Sequence, residues 1–230
     1  MADGEGNHVK RVAIPELLDS DAGTESEVQA ALADLRCINR WFGGTSTTLA
    51  MLKRVMKHAK GQELSLLEVA SGGSHAPEAA AEWAREQGNV LHTTCLDRRF
   101  SHLLGRKPSA VGDALHLPFA NESFDIVSCG LFVHHLDSPE VVRFAQEALR
   151  VARMALLIND LVRSSIHWAM VWMARPLWQS RLTRHDSVAS VHRSYTLEEL
   201  QSLLQRAHPA RLEIRRHYLF RLGAIVWKTY

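Results

Sequence analysis

The segment from Leu64 to His75 constrains the fold of this chain more than any other stretch. Its first half is apolar and branched, as in a buried strand. Small residues follow from Ala70 to Ser74, so the backbone can bend sharply and a ligand can approach it closely. Pro77 then opens an Ala-rich segment that predicts a helix, stopped by Gly88. Strand, glycine turn and helix in this order are typical of the nucleotide-binding start of a doubly wound α/β fold.

Composition predicts one ordinary globular domain over residues 1–230. Of these residues 46% are hydrophobic and 23% charged, which suits a sizeable core. The formal charge is only +2 and the basic residues are scattered, so a nucleic-acid partner is not expected. Three widely spaced cysteines argue against a disulfide framework. The polar N-terminus and the lack of a long apolar run predict a soluble, cytoplasmic protein with no integral membrane segment.

Apolar periodicity predicts helices before the glycine turn and alternating strands and helices after it. Residues 1–20 show no periodicity and are expected to form a mobile tail. Residues 24–60 predict two amphipathic helices, the first opened by a capping box at Thr24. Another capping box, Thr196 to Glu199, predicts a helix that runs to about Ala207. The alternation that follows predicts a parallel sheet covered on both faces. The predicted strands are Leu64 to Val69, Val90 to Leu96, Ala110 to Ala114, Phe124 to Cys129, Met154 to Ile158, and a closing pair, Arg211 to His217 and Leu219 to Trp227.

Acidic residues stand at the carboxyl ends of these strands, where open parallel sheets bind their ligands. Asp97 ends the strand after the glycine turn, which is the position of an acid that accepts hydrogen bonds from ribose hydroxyls. That position alone leaves open NAD or another nucleoside cofactor.

Four segments taken together resemble the class I S-adenosylmethionine-dependent methyltransferases, over Leu64 to Asp160. They are Glu68 to Gly73, Cys95 to Asp97, Gly112 to Ala114 with Leu117 to Phe119, and Ser123 to Val127. The resemblance implies an α/β, Rossmann-like fold with a seven-stranded, mostly parallel sheet whose last strand is antiparallel. It also implies N-terminal helices and a helical insertion after strand 5.

The resemblance implies S-adenosyl-L-methionine as cofactor, with S-adenosyl-L-homocysteine as product, and a set of contacts. The turn from Glu68 to Ser74 would lie against the methionine part, Asp97 against the ribose, Asp113 and Ala114 against the adenine, and Gly130 under the sulfur. The predicted cofactor-binding residues are Glu68, Ala70, Ser71, Gly72, Ser74, Asp97, Arg98, Asp113, Ala114 and Gly130. Ala70 and Ser74 depart from the family pattern, which has glycine there. Arg36, Asn39 and Arg40 either reach the cofactor carboxylate or form a surface charge run.

The predicted catalytic residues are His134, His135 and Asp160. The histidines follow the fourth strand and Asp160 ends the fifth, its neighbour in the implied fold. A histidine held by a carboxylate is a suitable base for a hydroxyl. The pair is similar to the His/Asp pair of some sugar and natural-product O-methyltransferases, which favours His134; alternatively, both histidines only cap a helix or line a loop. No cluster of carboxylates and histidines is evident, so no metal site is predicted.

The insertion, residues 161–194, stands where this family places a substrate cover. Its first part, Ile166 to Trp178, has three tryptophans and two methionines, which suit a flat apolar ligand. Core packing or a homodimer contact is nearly as well favoured, and membrane-surface docking less so. A solvated loop, or alternatively a substrate-binding wall, is expected for the polar residues Arg181, Arg184, His185, Asp186, His192 and Arg193.

These features predict a small-molecule methyltransferase. The predicted acceptor is the hydroxyl of an aromatic, quinone-like or polyketide-type compound, as in secondary metabolism. C-methylation of a quinone precursor is the alternative within the class. Two alternatives belong to other functional classes. One is a non-catalytic partner subunit that keeps the fold, and the other, less favoured, is an NAD-dependent dehydrogenase.

Overall fold

Seven strands form one sheet in the computed structural model, which describes residues 9–20, 22–58, 61–72, 74–103 and 108–228. The strands are β1 (Glu63–Val69), β2 (Val90–Asp97), β3 (Ser109–Val111), β4 (Phe124–Gly130), β5 (Ala152–Leu161), β6 (Arg211–Arg216) and β7 (Arg221–Trp227). Their order is β3-β2-β1-β4-β5-β7-β6. The first five are parallel to one another, and β7 is antiparallel to both β5 and β6. The predicted fold class is therefore confirmed.

Helices cover both faces of this sheet. They are α1 (Glu25–Trp41), α2 (Gly44–Val55), α3 (Ala76–Glu86), α4 (Ser138–Val151), α5 (Ser165–Ala174), α6 (Arg181–Arg193) and α7 (Leu197–Gln205). The predicted capping boxes at Thr24 and Thr196 are both present, and Asp137 caps α4 in the same way. The helix predicted to follow α1 is shorter than expected, because a 3₁₀ turn, Met56–His58, replaces its last part.

Strand β1 lies at the centre of the sheet and is buried on both sides. Leu67 and Val69 belong to an apolar layer with Phe144 of α4, while Leu64 and Leu66 pack into the opposite layer with α2 and α3. A strand buried on both faces needs apolar residues pointing to each side, which accounts for Leu64, Leu66, Leu67 and Val69 in this strand. The carboxyl end of β1 is thus held in position by the apolar layers on both faces of the sheet.

The N-terminal segment differs from the predicted mobile tail. Residues 9–20 lie against α6, where the amides of Leu17 and Leu18 donate hydrogen bonds of 2.8 and 3.0 Å to the carboxylate of Asp186. The Arg11 guanidinium lies 4.0 Å from the ring centre of Tyr195. Because every one of these partners is far along the chain, local periodicity could not reveal the packing. Residues 1–8 of the predicted tail lie outside the described residues.

The polar stretch after the Trp- and Met-rich segment is the helix α6, so its interpretation as a solvated loop is wrong. Ser180 caps the helix, and Leu182, Thr183, Asp186 and Ala189 are buried. This helix packs against α1 and also carries the N-terminal segment, so polar positions are covered as well as apolar ones. That double contact hides the helical pattern in the sequence. None of the helices in the described ranges combines the length and apolarity that a bilayer crossing requires.

Candidate active site

A cavity of about 1040 Å³ opens at the carboxyl ends of the central strands. Its walls come from the turn after β1, the loops after β2 and β4, helices α1, α5 and α6, and the N-terminal segment. Small-molecule sites occupy about 300–1,000 Å³. The cavity therefore has room for two ligands of moderate size side by side.

The turn after β1 has the backbone that its small residues predict. Ala70 and Gly72 both have positive φ, at 52° and 46°. The amide of Ser71 donates to the carbonyl of Leu96 at 3.1 Å, and that of Gly72 donates to Oδ2 of Asp97 at 2.9 Å. Ser74 Oγ accepts a hydrogen bond from the first residue of α3. Ala70 therefore takes the glycine conformation without disrupting the turn.

Asp97 holds the end of β2 against this turn. Besides the Gly72 amide, its carboxylate accepts the Arg99 amide at 2.9 Å and faces Nδ1 of His102 at 3.5 Å. Burial raises the pKa of Asp97, but the hydrogen bonds from His102, Arg99 and Gly72 outweigh burial and hold the pKa below its usual value. An ionised carboxylate therefore stands at the cavity wall.

Two further loops complete this end of the cavity. Asp113 is exposed at its rim and accepts the Leu115 amide at 2.9 Å, while Ala114 is buried. Gly130 ends β4, and Leu131 after it has a φ of 54°. Nine of the ten predicted cofactor-binding residues line the cavity; Glu68 is buried behind it, under Gly130. Of the three polar residues at the end of α1, Asn39 lines it and Arg36 and Arg40 do not.

The predicted His134–Asp160 pair is formed. Nδ1 of His134 lies 2.7 Å from Oδ1 of Asp160, and its backbone amide donates to Oδ2 at 3.1 Å. His134 is only 2% exposed, yet it lines the cavity. Burial lowers its pKa, but Asp160 on one nitrogen and Glu16 near the other outweigh burial and raise the pKa to about 10. The imidazole is thus held firmly between two carboxylates.

Glu16 and Asp19 of the N-terminal segment join this pair, which the sequence analysis missed. His135 places Nδ1 3.0 Å from Oδ2 of Asp19 and Nε2 3.7 Å from Oε2 of Glu16. Nε2 of His134 lies 3.4 Å from Oε1 of Glu16. One ligand atom from each of Glu16, His134 and His135 lies within 4.8 Å of the others. This differs from the expectation that carboxylates and histidines do not cluster. No local pattern marks Glu16, because only the fold brings it to β4.

The far end of the cavity is largely apolar. Helix α1 contributes Leu35, Ile38 and Phe42, and α5 contributes Val171 and Ala174. The insertion therefore forms a wall beside the cluster. Arg221 closes this end from behind, fully buried, with its guanidinium donating to Asn39 and to the carbonyl of Phe42 at 3.1 Å each.

Comparisons with known proteins agree with this architecture. Residues 67–155 match the family model described as a methyltransferase domain. No curated protein matches the chain in sequence. The plantazolicin methyltransferase BpumL, solved with a triazolic desmethylPZN analog and S-adenosylhomocysteine, is a similar structure. It is 14% identical with a TM-score of 0.67, over 93% of this chain and 94% of that one.

Two other solved structures are similar over most of this chain. An O-methyltransferase family 2 protein from Planctomyces limnophilus, in complex with apigenin, is 19% identical with a TM-score of 0.61, over 91% of this chain and 63% of that one. Magnesium protoporphyrin IX methyltransferase from Synechocystis, with bound S-adenosylhomocysteine, is 11% identical with a TM-score of 0.53, over 81% and 84%. At these identities the likeness shows the fold.

The prediction of an enzyme that uses S-adenosylmethionine is confirmed at the level of domain and fold. The resemblance noted in the sequence rested on four short segments between Glu68 and Val127, and the matched range contains all four. Residues 67–155 of this chain therefore match a methyltransferase domain, and the chain has the fold seen in S-adenosylmethionine-dependent methyltransferases.

Proposed function

We propose that this protein transfers the methyl group of S-adenosylmethionine to a hydroxyl of a small, largely apolar acceptor of the aromatic, quinone-like or polyketide type. The observation that carries the proposal is a continuous cavity, which joins the turn after β1 to the buried cluster around His134. When bound, the cofactor supplies a methyl group on a positively charged sulfur. The acceptor then needs only alignment, a dry surrounding and an activated oxygen.

The cofactor end of the cavity fits this role. Ala70 and Gly72 bring bare backbone to the cavity wall, and a side chain at Gly72 would meet nothing within 4 Å, so the turn leaves space open. The ionised Asp97 beside it can accept hydrogen bonds from ribose hydroxyls. Asp113, Ala114 and Arg98 would hold the adenine side, and Gly130 would lie under the sulfur. Two of the similar structures were solved with S-adenosylhomocysteine.

The acceptor end supports a hydroxyl on an apolar body. Most side chains that α1 and α5 place there are aliphatic, with Asn39 and His167 as polar exceptions, while Glu16, His134 and His135 gather at one side. An apolar ligand with one polar group suits such a wall. One similar O-methyltransferase was solved with apigenin.

His134 is the proposed activating residue. With Asp160 and Glu16 in place the pKa of about 10 keeps His134 protonated at neutral pH, so a base must be the neutral ring that forms once Glu16 has moved away. Nε2 of that neutral ring would take up the hydroxyl proton while the oxygen bonds to the methyl carbon and the carbon–sulfur bond breaks. Asp160 would fix the ring and stabilise the imidazolium that forms. In the described conformation Nε2 faces Glu16, so this role requires Glu16 to move aside.

Methyl transfer to a panel of phenols and quinols tests the proposal, with products detected by mass and the methylated atom assigned by NMR. Methylation on oxygen is the expected result, whereas methylation on ring carbon would favour the C-methylation alternative. Calorimetry with S-adenosylmethionine accompanies it. No binding at millimolar cofactor would overturn the enzymatic proposal and leave the non-catalytic partner subunit.

Two variants test which end of the cavity binds the cofactor and which end binds the acceptor. Asp97→Ala should weaken cofactor binding, because the acid for the ribose is lost. His134→Ala should keep cofactor affinity and lower turnover by roughly 100-fold or more. His92→Ala is the matched control, because His92 is exposed and does not line the cavity. Unchanged turnover in folded His134→Ala would mean that this residue only packs.

A further inference from the structure

We infer that Glu16, His134 and His135 bind a divalent transition metal ion at the wall of the cavity. The donor set consists of two imidazole nitrogens and one carboxylate, which suits ions such as Zn²⁺, Mn²⁺ or Fe²⁺. The inference that the ion binds is drawn from the geometry alone. The inference that it activates the acceptor hydroxyl rests on the proposed function.

Both histidines are oriented as metal ligands are. In each ring Nδ1 is held by a carboxylate, from Asp160 at 2.7 Å for His134 and from Asp19 at 3.0 Å for His135. A carboxylate on the far nitrogen fixes the ring and makes the other nitrogen a better ligand. The two Nε2 atoms are therefore left to face Glu16 from neighbouring positions of one turn.

The distances suit a shared ion. Two ligands of a tetrahedral ion with bonds of about 2.0–2.1 Å stand roughly 3.3–3.4 Å apart. Oε1 of Glu16 lies 3.4 Å from Nε2 of His134, and Oε2 lies 3.7 Å from Nε2 of His135. The ring centres of the two histidines are 4.2 Å apart. Small rotations of these side chains would bring all three donors onto one ion.

One atom of the cluster independently points to a missing partner. Nε2 of His134 is fully buried, and its contact with Oε1 of Glu16 at 3.4 Å is an ion pair without hydrogen-bond geometry. Buried polar atoms without a partner are rare in native structures. A metal ion between Nε2 and Glu16 would satisfy both groups at once.

The cluster has an open side. All three residues line the cavity, so an ion held there would keep a coordination position toward the acceptor. An ion held there would lower the pKa of an acceptor hydroxyl, which is the chemistry it would supply to the transfer. This mode replaces the role of His134 as a base, because Nε2 would then hold the ion.

Calorimetric titration with Zn²⁺ alone tests the site, using the untagged full chain after treatment with EDTA and dialysis. We expect one ion per chain. Glu16→Gln keeps the side-chain shape without the charge, and His135→Ala removes a partly exposed ligand, so both variants should fold. Each should weaken binding by at least roughly 10–100-fold, the loss that is typical even of outer partners. The control His92→Ala removes an exposed histidine paired with Glu63 and should bind like the wild type.

The absence of saturable binding would overturn the inference, as would equal binding by Glu16→Gln and His135→Ala. Titration of the same preparations with S-adenosylmethionine separates the two proposals. Cofactor binding without ion binding would leave the proposed function standing, and the reverse would overturn only that function. Measurement of turnover adds a second comparison. If His134 acts as a base, EDTA and His135→Ala should leave turnover unchanged, whereas both should lower it if a metal ion activates the acceptor.

Discussion

Ala70 shows how a residue outside the usual pattern can keep a functional turn. Its φ of 52° lies in the left-handed region, which an L-residue with a Cβ adopts only at a cost. The amides of Ser71 and Gly72 are tied to β2, so the surrounding hydrogen bonds hold the strained position. Alanine in place of glycine is therefore expected to lower the free energy of unfolding, while the conformation of the turn stays the same.

Ala70→Gly should raise the free energy of unfolding by about 1 kcal/mol. Relief of the left-handed strain outweighs the larger entropy of glycine in the unfolded chain. Urea unfolding measures the change. Ala81→Gly in the interior of α3 is the matched control with opposite sign, since glycine there should cost about 0.5–1 kcal/mol. Equal destabilisation by both substitutions would mean that the turn stores no strain.

Single residues also show where sequence reasoning reaches its limit. Asp97 could be placed because it ends a predicted strand, and His134 with Asp160 because parallel neighbours bring their carboxyl ends together. Glu16 could not, since it lies in a segment without periodicity and meets His134 only after folding. Sequence rules act within a few residues, whereas this contact joins positions 16 and 134.

Among the elements, α6 and the N-terminal segment depend on each other most closely. Asp186 is buried in α6 and accepts the amides of Leu17 and Leu18. Val12 donates to the carbonyl of His192 further along the same helix. The backbone amides of the segment therefore donate hydrogen bonds to the same helix at both ends of the segment.

Asp186→Ala should release this segment while the sheet stays folded. Loss of charged acceptors for two amides should lower the local opening free energy by about 1.5–3 kcal/mol, which speeds amide exchange roughly tenfold to a hundredfold. Hydrogen exchange at Leu17 and Leu18 measures it, with Glu82→Ala on the exposed face of α3 as control. Unchanged exchange would show that other contacts suffice to hold the segment.

Elements with local signals were predictable and α6 was not. Thr24 and Thr196 begin helices through capping boxes that are written within four residues, and both were found as expected. In α6 the buried positions include Thr183 and Asp186, which a hydropathy pattern assigns to solvent. The covering of this helix from two sides is a tertiary property, so the local pattern gave the wrong answer.

At the scale of the whole molecule, α5 separates the cavity from the outside. His167, Val171, Ala174 and the following Trp178 line the cavity. Three apolar residues on the outer side, at helical spacing, are between 65% and 73% exposed: Ile166, Met173 and Leu177. Met170 is 39% exposed and also lines the cavity. An exposed apolar stripe of this kind is typical of an interaction surface. The homodimer suggested by the sequence therefore remains a prediction with a defined surface.

We expect Met173→Glu to abolish self-association of the purified chain, because a charge in the centre of the stripe would have to be buried. Size-exclusion chromatography with light scattering measures the mass of both proteins. Val111→Glu places the same charge at an exposed apolar residue of β3, away from α5, and should leave the mass unchanged. A monomeric wild-type chain would exclude the stripe as a dimer contact.

The anchoring of residues 9–20 has a consequence for how the molecule is made. These residues are synthesised before the sheet and α6, yet their partners extend to Tyr195, which is synthesised far later. The segment 9–20 therefore cannot reach its final position until β1 to β5 and then α6 have been synthesised. We therefore expect the cavity wall beside His134 to remain incomplete until this segment packs against α6.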